Sequence, residues 1–100
     1  MREGNKMKMN EHQHKLWENM IGLIDSYLND ENQDFYTIVG KLEGALDASE
    51  IKDCNLINQW YDFWTPLETR RAVEGRQPNR EKTVEELKAM KSFLVKHLAA

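Results

Sequence analysis

Apolar residues return along this chain at the three-to-four-residue spacing of one helix face. Leu16, Trp17, Met20, Ile21, Leu23, Ile24, Tyr27 and Leu28 mark the first run, with Lys15, Glu18, Asn19, Asp25 and Ser26 on the opposite side. The pattern predicts an amphipathic helix over residues 11–28. Asn10 followed by Gln13 has the form of a capping box at its start, and the polar cluster Asn29–Asn32 closes it.

A second helix is expected over 33–47, with Phe35, Ile38, Val39, Leu42, Ala45 and Leu46 on its apolar side. Its other side is nearly bare, because Gly40, Gly44 and Ala48 align at i, i+4 and i+8. Glycine inside a helix costs about 0.5–1 kcal/mol relative to alanine. Two on one face therefore imply a close packing contact, within the fold or with a second molecule, or simple tolerance of the cost.

The densest apolar stretch is Gln59-Trp60-Tyr61-Asp62-Phe63-Trp64, the expected spine of the fold. Leu56, Ile57, Trp60, Phe63, Trp64 and Leu67 share roughly one third of a helix circumference at about 100° per residue. This helix is expected from Asp53 to Trp64. Thr65-Pro66-Leu67-Glu68 then reads as a capping box with proline at the first helical position. A proline inside a continuous helix costs about 3 kcal/mol, so a break or sharp kink is expected at Pro66. A short helix would follow to Glu74, with Gly75 and Pro78 bracketing a loop. Thr83-Val84-Glu85-Glu86 predicts the start of a last helix carrying Leu87, Met90, Leu94 and Leu98, flanked by Val84 and Phe93. Lys91, Lys96 and His97 near its end suit the helix dipole.

The expected fold is therefore all-α: a small up-down bundle of four main helices plus one short helix, kinked or broken at Pro66. It occupies residues 10–100 as one domain, behind a flexible N-terminal tail at 1–9 in which Met1, Met7 and Met9 are alternative starts.

Composition narrows the function classes. Hydrophobic residues make up 40% of the 100-residue chain, so the core is thin and the surface heavily charged. No apolar run reaches the roughly 18–20 residues of a membrane span, and the basic first residues precede no apolar segment. With one cysteine, Cys54, the expectation is a cytoplasmic protein. Cys54 itself is expected to be a small buried hydrophobe.

Charge is divided unevenly. Residues 14–69 hold eleven acids and three bases, whereas residues 70–100 hold four acids and eight bases. Either the two halves neutralise each other inside one bundle, or they present surfaces of opposite sign.

Few residues are placed for chemistry. Asp30, Asn32 and Asp34 open a calcium-loop pattern, but Phe35 and Lys41 stand where glycine and a bidentate glutamate are required. His12 and His14 face different ways on a helix and have no third ligand at a zinc spacing. Cys54 has no histidine nearby to act as base, and no glycine-rich phosphate loop is present. No metal, no cofactor and no catalytic residue are expected.

The candidate site is the basic turn: Arg70, Arg71, Arg76, Arg80 and Lys82, with Tyr61 and Asp62 as neighbouring interface residues. Arginine forks match carboxylate or phosphate, and a helix start can add N–H donors for an anion. These side chains are expected to be solvent-exposed and to contribute little to stability. The structural alternative is pairing with the acidic half of the chain. The leading expectation is a non-catalytic protein-interaction module, an adaptor, regulator or small acidic antagonist, with a homodimer also open. A nucleic-acid-associated accessory protein using residues 70–82 ranks second, because a pI near 5.6 is far from a basic footprint. An enzyme ranks third.

Overall fold

The computed structural model describes residues 9–30, 33–75 and 78–99. It contains four helices and, among the described residues, no strand: α1 (Glu11–Asn29), α2 (Phe35–Ser49), α3 (Cys54–Glu74) and α4 (Arg80–Ala99). Each packs on two neighbours, α1 on α2 and α4, and α3 on α2 and α4. The backbones of the diagonal pairs do not approach one another. Short connections between consecutive helices give the ring its alternating direction.

Local chemistry starts each helix. Asn10 and Gln13 form the capping box expected for α1, with Gln13 N–H donating to Asn10 Oδ1 at 2.7 Å. Asp34 caps α2 and Asp53 caps α3 through their side-chain oxygens. Helix α4 begins three residues before Thr83, because Asn79 supplies the cap by accepting from Lys82 N–H at 3.1 Å. Thr83 lies inside the helix, fully buried, and its hydroxyl donates back to the Asn79 carbonyl at 2.8 Å. Gly75 ends α3 at φ 71°, a conformation that favours glycine.

The expected break at Pro66 does not occur. Helix α3 runs through it as one element, so the separate short helix is absent. Pro66 lacks the N–H that would bond the Asp62 carbonyl. Asp62, Thr65 and Pro66 all lie on the exposed side, where water can satisfy that carbonyl. On the other side Trp60, Trp64 and Leu67 are buried on both flanks of the proline. Each such side chain contributes about 1.5–3 kcal/mol, so together they exceed the proline penalty of about 3 kcal/mol. Tertiary burial overrides the local stop signal.

The core combines the apolar faces read from the pattern: Trp17, Met20 and Ile24 of α1, Val39 and Leu42 of α2, Trp60 and Leu67 of α3, and Leu87, Met90 and Leu94 of α4. The three indoles also act as directional ties, since a buried Trp N–H needs an acceptor. Trp17 donates to the Leu94 carbonyl of α4 at 2.8 Å, and Trp64 to the Val39 carbonyl of α2 at 3.0 Å. Trp60 crosses the diagonal to Met20 Sδ of α1 at 3.3 Å. Met9, expected in the tail, is partly buried against this core; residues 1–8 lie outside the described residues.

One further expectation needs correction. Cys54 is exposed, not buried, because Asp53 takes the cap and leaves Cys54 as the first helical residue on the outer side. Gly40, Gly44 and Ala48 are exposed, and side chains from neighbouring helices meet the ribbon near its two ends, His12 of α1 at the Ala48 carbonyl (2.9 Å) and Arg71 of α3 beside Gly40. At Gly44 an added methyl would meet nothing within 4 Å. Gly40 alone has a close neighbour: its added Cβ would stand 3.3 Å from Arg71 Nη1.

Candidate functional site

Three arginines of the basic turn, Arg70, Arg71 and Arg80, face inward. Arg70, on the last turns of α3, forks onto Glu86 of α4 through Nε–Oε1 and Nη2–Oε2, both 2.9 Å. Its Nη1 donates to Glu74 Oε2 at 2.8 Å. Only 15% of the side chain is exposed. The hydrogen bonds to Glu86 hold the guanidinium charged, raising its pKa above the ordinary value against the opposing effect of desolvation.

Arg71 turns the other way, towards α2. It pairs with Glu68, donates to the Tyr36 carbonyl at 3.2 Å, and lies 4.8 Å from the Tyr36 ring centroid. Glycine at position 40 leaves room for it. Arg80 closes the opposite seam by donating to the Tyr27 and Leu28 carbonyls at 3.2 and 3.4 Å. These are last-turn carbonyls of α1, where a cation also meets the negative end of the helix dipole. Its guanidinium lies over the Tyr27 ring at 4.5 Å, a cation–π contact. Nη1 has no hydrogen-bond partner among the described residues.

The expectation that these arginines stand in solvent therefore fails for Arg70, Arg71 and Arg80. Folding places Glu74 and Glu86 at Arg70, Glu68 at Arg71 and the last carbonyls of α1 at Arg80. Lys82 is exposed, and Arg76 lies outside the described residues. Tyr61 and Asp62 are not part of this cluster. They precede Arg70 by nine and eight residues, about 12–14 Å of helical rise. Tyr61 is half-buried, and its hydroxyl donates to Glu43 Oε2 at 2.9 Å. Burial first, then the bond to the Glu43 carboxylate, pushes its pKa up to about 12. Asp62 points to solvent.

Among the described residues no group of three or more His, Cys, Asp or Glu is placed to hold a metal. No helix of the described residues is long and apolar enough to cross a membrane.

A different surface collects unsatisfied chemistry. A groove of about 570 Å³ between α1 and α4 is lined by Leu28, Lys88, Lys91, Ser92, Val95 and Lys96. Lys91 pairs with Asp25 across the seam at 2.6 Å. Lys88 and Lys96 have no ion pair among the described residues and are exposed. Val95 remains 44% exposed although it is β-branched and apolar. Sequence reading assigned Lys91 and Lys96 only to the helix dipole and passed over Lys88. The available signal is spacing: residues 88, 91/92 and 95/96 fall on the α4 face that flanks the Leu87–Met90–Leu94 stripe.

Comparison with protein-family models, with curated proteins and with solved structures finds no match to this chain.

Proposed function

We propose that this protein is a non-catalytic protein-interaction module of the cytoplasm, and that its docking surface is the α1–α4 groove. The carrying observation is the contrast in how cations are used. Arg70, Arg71 and Arg80 are bonded within the fold, whereas Lys88 and Lys96 flank an exposed apolar floor without a partner among the described residues. Clustered charge around a desolvatable apolar centre is the usual anatomy of a binding patch. The nucleic-acid reading of residues 70–82 loses support, because Arg70, Arg71 and Arg80 already hold carboxylates and carbonyls.

The test compares capture of cellular partners by the wild-type chain and by the Lys88→Glu/Lys96→Glu variant, with melting temperature as the folding control. Loss of specific partners at unchanged melting temperature is the expected result. Identical capture by the two chains would refute the groove as the docking surface.

A further inference from the structure

If the groove is a docking surface, its lining also limits what can occupy it. Lys88 and Lys96 are eight residues apart on α4, about 12 Å at 1.5 Å per residue. Between them the floor is apolar, with Val95 from α4 and Leu28 from α1. Lys91 is already balanced by Asp25, which leaves two displayed ammonium groups, one near each end of the groove. The chain's own first eight residues do not complement this surface, since Arg2, Lys6 and Lys8 outnumber Glu3.

We propose that the groove receives an acidic amphipathic helix of a partner protein. One apolar side chain of that helix sits against Leu28 and Val95, and carboxylates seven or eight residues apart pair with Lys88 and Lys96. Three features favour a helix. The spacing of the two lysines matches carboxylates two turns apart on one helix face. The surface is a shallow, open depression between α1 and α4, so one side chain can lie against Leu28 and Val95. Its volume of about 570 Å³ holds a small cluster of side chains but not a helix, so the backbone of the ligand lies on the rim. This is the helix-in-groove mode, with apolar anchors giving affinity and flanking charges giving orientation.

The probe is a synthetic alanine-based helical peptide with leucine between two glutamates seven positions apart, alongside its glutamine counterpart. It is titrated into the isotopically labelled full chain and followed by amide NMR shifts and fluorescence anisotropy. Saturable binding is expected, with shifts concentrated at Leu28 and residues 88–96. The glutamine peptide and the Lys88→Glu/Lys96→Glu chain should each bind about tenfold more weakly, and affinity should fall as salt rises. If the double reversal fails to fold, Lys88→Gln/Lys96→Gln serves instead, with a smaller loss in the same direction. Equal affinity for the glutamate and glutamine peptides, shifts located elsewhere, or no saturable binding overturns the proposal. Two further arms identify a different occupant, and either positive result overturns it. One is stronger binding to phosphatidylserine vesicles than to the peptide. The other is groove-dependent self-association in sedimentation, which makes the occupant a second copy of the chain. Groove-dependent capture of cellular partners without peptide binding would remove the acidic helix while leaving the interaction-module reading in place.

Discussion

The junction around Arg70 and the outer face of α4 carry comparable positive charge and treat it in opposite ways. Arg70 makes three hydrogen bonds to two carboxylates, and Arg71 and Arg80 reach carbonyls on neighbouring helices. On α4, only Lys91 of the three groove lysines makes an ion pair among the described residues. The side chains explain much of the division. A planar guanidinium is weakly hydrated and fits a carboxylate or a ring face, so it tolerates partial burial between helices. An ammonium is a strongly hydrated point charge that stays in water unless a partner compensates it. Charge density in a sequence therefore says little about display until the type of cation and its helix face are considered.

The comparison needs a scale, and the core supplies it. Trp60 is fully buried and its N–H is bonded to Met20 Sδ. Trp60→Ala should lower stability by about 3–5 kcal/mol, a large part of the about 5–15 kcal/mol typical of a domain. A denaturation midpoint near wild type would show that the aromatic interior is not the main support of the bundle.

Arg70→Gln tests the claim that the arginine junction is structural. It removes a two-pronged bond to Glu86 and leaves two partly buried carboxylates uncompensated. The expected loss is about 1–3 kcal/mol, towards the lower end because both carboxylates retain solvent contact. No change in urea midpoint would place Arg70 with the displayed cations.

Tyr61 provides a contrast that varies with pH. Its folded-state pKa of about 12 lies above the ordinary value of 10.0, because of burial and then the bond to Glu43. The unfolded chain therefore loses this proton first as pH rises. The stabilising contribution is complete below pH 10 and declines up to about pH 12. Tyr61→Phe should cost about 1 kcal/mol at neutral pH and flatten this part of the alkaline stability loss. Parallel alkaline profiles for the two chains would refute the assignment.

The bare ribbon divides at Arg71. An alanine at 44 meets open space, so Gly44→Ala should stabilise by about 0.5–1 kcal/mol. At 40 the new methyl displaces the tip of a flexible guanidinium by a few tenths of an ångström, so the gain should be smaller. Equal rises in melting temperature would mean that the Arg71–Tyr36 contact contributes nothing. The smallest effect belongs to the displayed lysines. Lys88→Gln should change stability by less than about 0.5 kcal/mol, and a larger loss would mean that the groove is part of the structural framework.

Much of the architecture is legible in the sequence. Trp17, Met20, Ile24, Val39, Leu42, Trp60, Leu87, Met90 and Leu94 were assigned to the core by period alone, and all are buried. The Asn10–Gln13 box and the Gly75 stop were likewise readable, because a cap or a left-handed terminator acts within three or four residues of its own position. The candidate site was much less legible. Arg70 meets Glu86 sixteen residues away, and Arg80 meets Tyr27 across more than fifty. No local pattern encodes those distances.

Helix faces and the approximate starts of the first three helices are thus properties of the chain itself, since hydrophobic period and capping are short-range and nearly additive. Tertiary structure decided the outcomes that depended on a competition between distant groups. Pro66 remains inside α3 because buried side chains on both of its flanks outweigh a local penalty. The arginines turn inward because folding brings carboxylates and helix-end carbonyls within reach of their forks. Lys88 and Lys96 are left facing a groove that exists only once α1 and α4 lie side by side.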